Sequence, residues 1–458
     1  MSVSKSSFNI AWFSPLGENL KSALLTKEVV PELTSRGHRV IVYVGDQDWL
    51  EIVGGSKQAE PGVIKLGELE ARHFLRAFQD DHQKEFDFAI SNIEDDQRSA
   101  FCQISSSRWP GLTLFYDANL NRLEHDKVSH ATTGVALDEQ LKEKFGEDAL
   151  KLGDFSIRGW SLEIFDRYLP NGREEFLSAN RALAFFENVY QHISKEVDCS
   201  FCPFPLSPVS ELEQRRQRKE ARSQRKLPDD SLVLSIFGID FLRNFTEETA
   251  KALALALENR KSLEGEVCLL WLVDVDQPAE LDKLNKVLED SKLGEKVALS
   301  VEQVGNEGDL TAGLLASDLF LDINYDLLRG PSFAQLLCRK YCVPMISSDS
   351  SLPYTIRPEM QEGLVLGLSH VLLGILNEPK KLIQMTEAMK LSLEQCTSAA
   401  SFCSQIEGLA SGEKLKDKLQ EERALVKQQR QKLLGDVVEG FGVQGIDQAG
   451  MKLFADEG

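Results

Sequence analysis

The feature that most constrains this chain is an alternation that runs through it twice. Short apolar runs of strand length are each followed by a polar break and then by a stretch with helical spacing. "FNIAWFS" (Phe8 to Ser14) is one such run, and "PLGEN" breaks it. "LKSALLTKEVVPELTSRG" then places apolar residues at Leu20, Leu24, Val29 or Val30, and Leu33, close to a helical period. Gly37 supplies a helix stop, and "HRVIVYVGD" is a second buried strand. Strand, loop, helix, strand is the unit that builds parallel sheets, because a parallel pair needs a long crossover. Further strands follow in "FDFAISN", "GLTLFYD" and "SANRALAFFEN". Asp46, Asn92 and Asp117 stand at the C-terminal ends of strands, the edge at which open parallel sheets bind ligands.

"CPFPLSPVS" (Cys202 to Ser210) interrupts the pattern, since its prolines can continue neither a helix nor a central strand. A basic helical segment, "ELEQRRQRKEARSQRK", comes next, and the rhythm restarts. "SLVLSIFG", "EVCLLWLVDV", "VALSVEQV" and the strand opening "SDLFLDINYDLLRGPSFAQLLCRKYCVPMISSD" alternate with helical stretches. We therefore expect an α/β protein of two Rossmann-like, doubly wound parallel-sheet domains, residues 1–205 and 206–405, facing a cleft. A charged helical tail, 406–458, is expected to follow. Leu419, Val426 and Leu433 recur there every seven residues with Leu415 one turn earlier, too few heptads for a coiled coil but enough to dock on the body or on a protein partner.

Charge excludes some functions. Lys+Arg total 52 and Asp+Glu 72, so 52 − 72 gives −20. A chain this acidic is no general binder of nucleic acid or of an anionic membrane surface. The most apolar run, "GLVLGLSHVLLGIL", is too short to span a bilayer and contains His370. The first residues lack the long apolar core of a signal peptide, which implies a cytoplasmic protein whose eight cysteines are reduced.

Five places carry possible chemistry. The loop "SPLGENLKS" precedes a helix, where free N–H groups can hold phosphate, but it has one glycine, Gly17, and a plain turn accounts for it equally. "FGIDFLRNF" places Gly238 and then Arg243 and Asn244 beyond a strand; arginine suits a diphosphate, or lies free on the surface. Cys199 and Cys202 form a C-x-x-C pair with no second pair at zinc-ligand spacing, which fits buried thiols better than a metal site. The basic run Arg215, Arg216, Arg218, Lys219, Arg222, Arg225, Lys226 either meets an anion or forms a solvated helix face, and no aromatics interleave it for base stacking. The histidine pairs His73 and His82, and His125 and His130, lack carboxylate or thiol partners at ligand spacing.

The order of these parts resembles the GT-B fold, and in detail glycosyltransferase family 4, the bacterial retaining enzymes that use nucleotide-sugars. The resemblance runs from about residue 8 to about residue 400. Its anchors are "NIAWFSPL" with "LTKEVVPELTSRGHRVIVYV", the segment "ISNIEDDQRSAFCQISSSRWPGLTLFYDANLNRL", "LSIFGIDFLRN" and "ASDLFLDINYDLLRGPSFAQLLCRKYCVPMISSD". It implies a sugar moved from a nucleotide-sugar to a glycan, lipid or protein acceptor, with no metal and no other cofactor. It also implies roles: Asp117 catalytic and facing the acceptor; Gly17, Gly238, Arg243, Asn244, Gly330 and Ser332 holding the donor.

The departures from the family pattern are as informative. Its glycine-rich N-terminal loop is reduced to Gly17, with Lys21, Ser22 and Ala23 around the place of the usual glycine. Its His-Asp pair reads Tyr116-Asp117, its basic pair Arg243-Asn244, and a strand that usually ends in glycine ends in Asp274. Its glutamate before the last donor-binding helix is missing near Gly330, where the chain reads "RGPS" and only Ser332 survives. Retaining transfer depends on preorganised stabilisation of the leaving diphosphate. Two main expectations follow: a divergent glycosyltransferase, or an inactive member that binds a partner. A nucleotide-binding module of other chemistry is a third.

Overall fold

The computed structural model describes residues 7–55, 64–66, 69–109, 111–120, 123, 172–179, 181–238, 245–260, 266–274, 278–323, 328–348, 363–394 and 396–411. Arg243, Asn244, His125, His130 and the heptad residues of the tail lie outside the described residues. The chain forms two compact units. Among the described residues, the first runs to Pro205 and resumes at Ser398; the second is Leu206–Thr397.

The first unit is built on strands β1 (Asn9–Phe13), β2 (Arg39–Val44), β3 (Ile64–Leu66), β4 (Leu69–His73), β5 (Phe88–Ile93), β6 (Gly111–Phe115), β7 (Ala182–Ala184) and β8 (Cys199–Phe201). They lie in the order β3-β4-β2-β1-β5-β6-β7-β8, parallel throughout except for β3 against β4. Among the described residues they are accompanied by helices α1 (Lys21–Ser35), α2 (Asp46–Gly55), α3 (Arg76–His82), α4 (Ala100–Arg108), α5 (Arg173–Ser178) and α6 (Glu187–Ile193). β1 is central, with Ile10 paired to Val40 on one side and to Phe88 on the other. A strand covered on both faces reads as an unbroken apolar run, which is why Ile10 to Phe13 are all buried. The indole Nε1 of Trp12 donates to Thr26 Oγ1 at 2.9 Å and so fastens α1 to this strand.

The second unit has β9 (Leu232–Phe237), β10 (Val267–Asp274), β11 (Ala298–Val304), β12 (Leu319–Asp322) and β13 (Met345–Ser347), all parallel, in the order β11-β10-β9-β12-β13. Its helices are α7 (Glu211–Gln224), α8 (Thr246–Asn259), α9 (Pro278–Asp290), α10 (Glu307–Ala316), α11 (Phe333–Lys340), α12 (Leu364–Asn377) and α13 (Lys380–Glu394). Leu234, Ile236, Leu269 and Trp271 bury one sheet face against Leu253 and Leu257 of α8 and Leu368, Leu372 and Ile375 of α12. The apolar run that is too short for a membrane is thus a core helix. No helix among the described residues is long and apolar enough to cross a membrane.

A last helix, α14 (Ala399–Ser411), returns to the first unit. Arg36, just beyond α1, donates to Ala400 O at 2.6 Å and to Ser404 Oγ at 2.9 Å, and pairs with Glu407 at 3.3 Å. Phe402 and Cys403 are buried beneath these bonds. The sequence reading carries the second domain to residue 405, whereas the change of unit falls at Ser398, because α14 buries its apolar face on α1.

Candidate functional site

Open parallel sheets offer a ligand site where strand order reverses, outside the C-terminal strand ends. In the first unit that point is β1, flanked by β2 and β5. In the second it is β9, flanked by β10 and β12. Helix α1 begins after β1, and α11 begins beside the end of β12, the neighbour of β9; at a helix N-terminus the N–H groups and the helix dipole favour an anion.

At the first point the anion is already present. Glu94, directly after β5, accepts from the N–H groups of Lys21 and Ser22, the first two of α1, at 3.2 and 3.1 Å. It also accepts from Ser22 Oγ at 3.1 Å. Burial pushes the Glu94 carboxyl up to about 7, Lys21 opposes the rise and Asp117 adds to it. The Lys21 ammonium lies 2.6 Å from Asp117 Oδ1 and 3.9 Å from Glu94. Asp117 is 1% exposed, and its other oxygen accepts from Asp95 N at 3.1 Å. Lys21 is therefore a counter-ion of Asp117. Tyr116 is also buried; its hydroxyl donates to Asn92 Oδ1 at 2.7 Å and its ring packs on Phe185 and Phe204. Phe185 and Phe186 are core residues of this unit.

Gly17 serves a close approach. A Cβ there would lie 1.9 Å from the Arg98 guanidinium. Arg98 is held by Asp48 at 3.1 Å and Glu51 at 3.2 Å, and Asp48 accepts from Leu16 N at 2.9 Å. The loop after β1 thus closes over a chain of internal ion pairs.

The second point is capped differently, with an acid beside the cap. Ser332 caps α11: its hydroxyl accepts from Gln335 N, and the Gln335 side chain accepts from Ser332 N. The same hydroxyl donates to Asp322 Oδ2 at 2.6 Å. Asp322 ends β12 and is 7% exposed. A buried acid therefore stands at this helix N-terminus too. Gly330 is half-buried two residues before the cap. Gly238, after β9, has φ of 92°, a conformation that favours glycine; it donates to Leu272 O and accepts from Trp271 Nε1. Asp274 ends β10.

The remaining candidates resolve into structural parts. In the basic run Arg218 and Arg222 pair with Asp318 at 2.6 and 3.0 Å, and Arg225 with Glu302 at 2.9 Å. Arg216 pairs with Glu213 on its own helix. All eight cysteines are free, and burial pushes the Cys199 thiol up to about 11. His73 pairs with Asp46 at 2.6 Å, while His82 lies in the last turn of α3. No group of His, Cys, Asp and Glu among the described residues is arranged to hold a metal ion.

The structure brings Lys21 and Asp117 together in one unit, and Gly330 and Ser332 to one loop and helix start in the other. Sequence reasoning missed Glu94 and Asp322 as the anions at the two helix ends. A signal was present: both are acids at or just after the end of a strand that neighbours the central one.

No protein-family model and no curated protein sequence matches the chain. Solved structures do. HepE of Anabaena, in complex with UDP-glucose, aligns over 88% of this chain and 100% of its own at 13% identity, TM-score 0.52. Sucrose-phosphate synthase of Thermosynechococcus elongatus aligns over 88% and 98% at 14% identity, TM-score 0.54. A glycosyltransferase of Rickettsia africae aligns over 88% and 98% at 12% identity, TM-score 0.52. Two parallel-sheet α/β units in this order, shared with these glycosyltransferases, give the chain the GT-B fold.

Proposed function

We propose that this is a glycosyltransferase-like protein that has kept the GT-B scaffold and acts by binding a partner, not by transferring sugar. One observation carries this reading: the N-terminus of α1 is satisfied by the chain's own Glu94, and beside the Ser332–Gln335 cap of α11 stands a second acid of the chain, Asp322. A helix N-terminus favours an anion by about 0.3–1 kcal/mol. A fixed carboxylate about 4 Å from a phosphate charge opposes it by about 4 kcal/mol at the effective dielectric of a protein surface. While the carboxylate is ionised repulsion wins, and a diphosphate binds only after it is neutralised or moved. The contacts left for function are the acidic surface and the charged C-terminal tail, which suit a protein partner in the cytoplasm.

The second reading is a divergent glycosyltransferase, moving a sugar from a nucleotide-sugar to a glycan, lipid or protein acceptor without a metal. Gly238 favours it, since its φ of 92° makes a tight turn just beyond β9, at the C-terminal sheet edge where open parallel sheets bind ligands. In this reading Arg243, Asn244 and Ser332 hold the diphosphate, and Asp117 must leave Lys21 to meet the acceptor.

Thermal shift with UDP, GDP and their sugar conjugates separates the two. A ligand at about a hundred times its dissociation constant stabilises a fold by about 2.7 kcal/mol. The first reading predicts no shift with any of them. A shift with one nucleotide, lost in Arg243→Ala, overturns it and restores the transferase.

A further inference from the structure

The N-terminal edge of the first sheet, at the opposite end of its strands from the candidate site, carries an open recess. Phe88 begins β5, Leu112 lies in the first turn of the pleat of β6, and Arg181 stands immediately before β7. With Ile406, Leu409 and Ala410 of α14 they line the recess. Phe88, Leu112, Ile406 and Ala410 are buried, while Leu409 is 39% exposed. Arg181 is the charged residue of this lining. Its carbonyl accepts from Thr113 N at 2.8 Å, which fixes its backbone against the sheet. Among the described residues, nothing bonds to or pairs with its guanidinium. A guanidinium set beside apolar side chains pairs well with a carboxylate that brings apolar neighbours of its own.

The chain leaves the described residues beside this recess, for Ser411 ends α14 one position after Ala410. Residues 412–458 follow, and their charge is uneven. From 412 to 432 seven Lys and Arg outnumber four acids, a balance that Arg181 disfavours. The stretch "GDVVEGFGVQGID", Gly435 to Asp447, holds three acids and no Lys or Arg. Within it Val437 and Val438 stand between Asp436 and Glu439. In extended chain, residues two apart share a face, so Val437 goes with Glu439 and Asp436 with Val438. A small apolar side chain with a carboxylate beside it matches a small apolar recess with a guanidinium beside it. We propose that the recess is the seat of the chain's own segment 435–447, with one of these valines in the recess and its companion carboxylate on Arg181. The intervening residues span up to about 3.3–3.6 Å each, ample for a return from Ser411, and closing a long loop costs little more than closing a short one. The contact uses none of the heptad residues and holds whether or not a nucleotide-sugar binds.

The test uses the full chain. Arg181→Lys keeps the charge and supplies an amine, which a carbodiimide joins to a carboxylate in direct contact with it. Mass spectrometry is expected to find position 181 joined to Asp436 or Glu439 within a single chain. The absence of that link, or its occurrence only between two chains, overturns the proposal. A second measurement reads the contact without a crosslink. Cleavage after Glu439 by a glutamate-specific protease is expected to be about tenfold slower in wild type than in Arg181→Glu, with cleavage after Glu422, outside the segment, unchanged. Equal rates at Glu439, or the same acceleration at Glu422, overturn the proposal equally.

Discussion

Lys21→Met removes the ammonium between Asp117 and Glu94 and keeps a side chain of similar length. The geometry sets the magnitude. The Lys21 side chain is 8% exposed and that of Asp117 2%, so water does little to screen their 2.6 Å contact. Breaking a buried pair by removing one partner costs about 3–5 kcal/mol, because the other charge stays buried after losing its ammonium partner. For a unit of roughly 200 residues each kcal/mol moves the melting temperature about 2–4 °C, so Lys21→Met is expected to lower it by about 6–20 °C. The assay is thermal and urea unfolding followed by circular dichroism, with the exposed Lys27→Met on the same helix as the control, expected within about 0.5 kcal/mol of wild type. Acid relieves the defect, since protonating Glu94 removes a charge that Lys21 balanced. A Lys21→Met chain within about 1 kcal/mol of wild type at neutral pH refutes the claim that this lysine neutralises a buried carboxylate.

Three further outcomes follow from the same geometry. Ser332→Ala removes the cap of α11 and the bond to Asp322, and is expected to cost about 1–2 kcal/mol in urea unfolding. Gly17→Ala drives a methyl against Arg98 and is expected to cost about 1–2 kcal/mol, but under about 0.5 kcal/mol in an Arg98→Ala background; the double-mutant cycle reads the coupling. Arg36→Ala strips three bonds from α14, so limited proteolysis is expected to cut near Ser398 faster than in wild type while the second unit stays intact.

Much of the fold is legible in the sequence because buried parallel strands leave a direct mark. "FNIAWFS" and "HRVIVYVGD" contain β1 and β2, and "EVCLLWLVDV" contains β10, since a strand covered on both faces must be apolar at every step. The proline-rich "CPFPLSPVS" holds the change of unit at Pro205. Other features leave no such mark. Periodicity does not say which strands are neighbours, so the meeting of Glu94 with Lys21, 73 residues earlier, shows only once β5 is seen to pair with β1. The basic run looks like a charged surface in one dimension. In space, Arg218 and Arg222 turn inward to an aspartate about a hundred residues away. Asp117 and Ser332 were legible as polar residues at strand and helix ends. Their bonds to Lys21 and Asp322 were not, because a side chain's partner depends on the packing around it.

The most direct measurement is a crystal structure of the full chain grown with UDP-glucose in large excess. The account predicts Glu94 on the N–H groups of Lys21 and Ser22, Ser332 on Asp322, and no diphosphate at either helix N-terminus. A diphosphate seated on the N-terminus of α11, with Asp322 displaced, contradicts it and makes the chain a nucleotide-sugar binder.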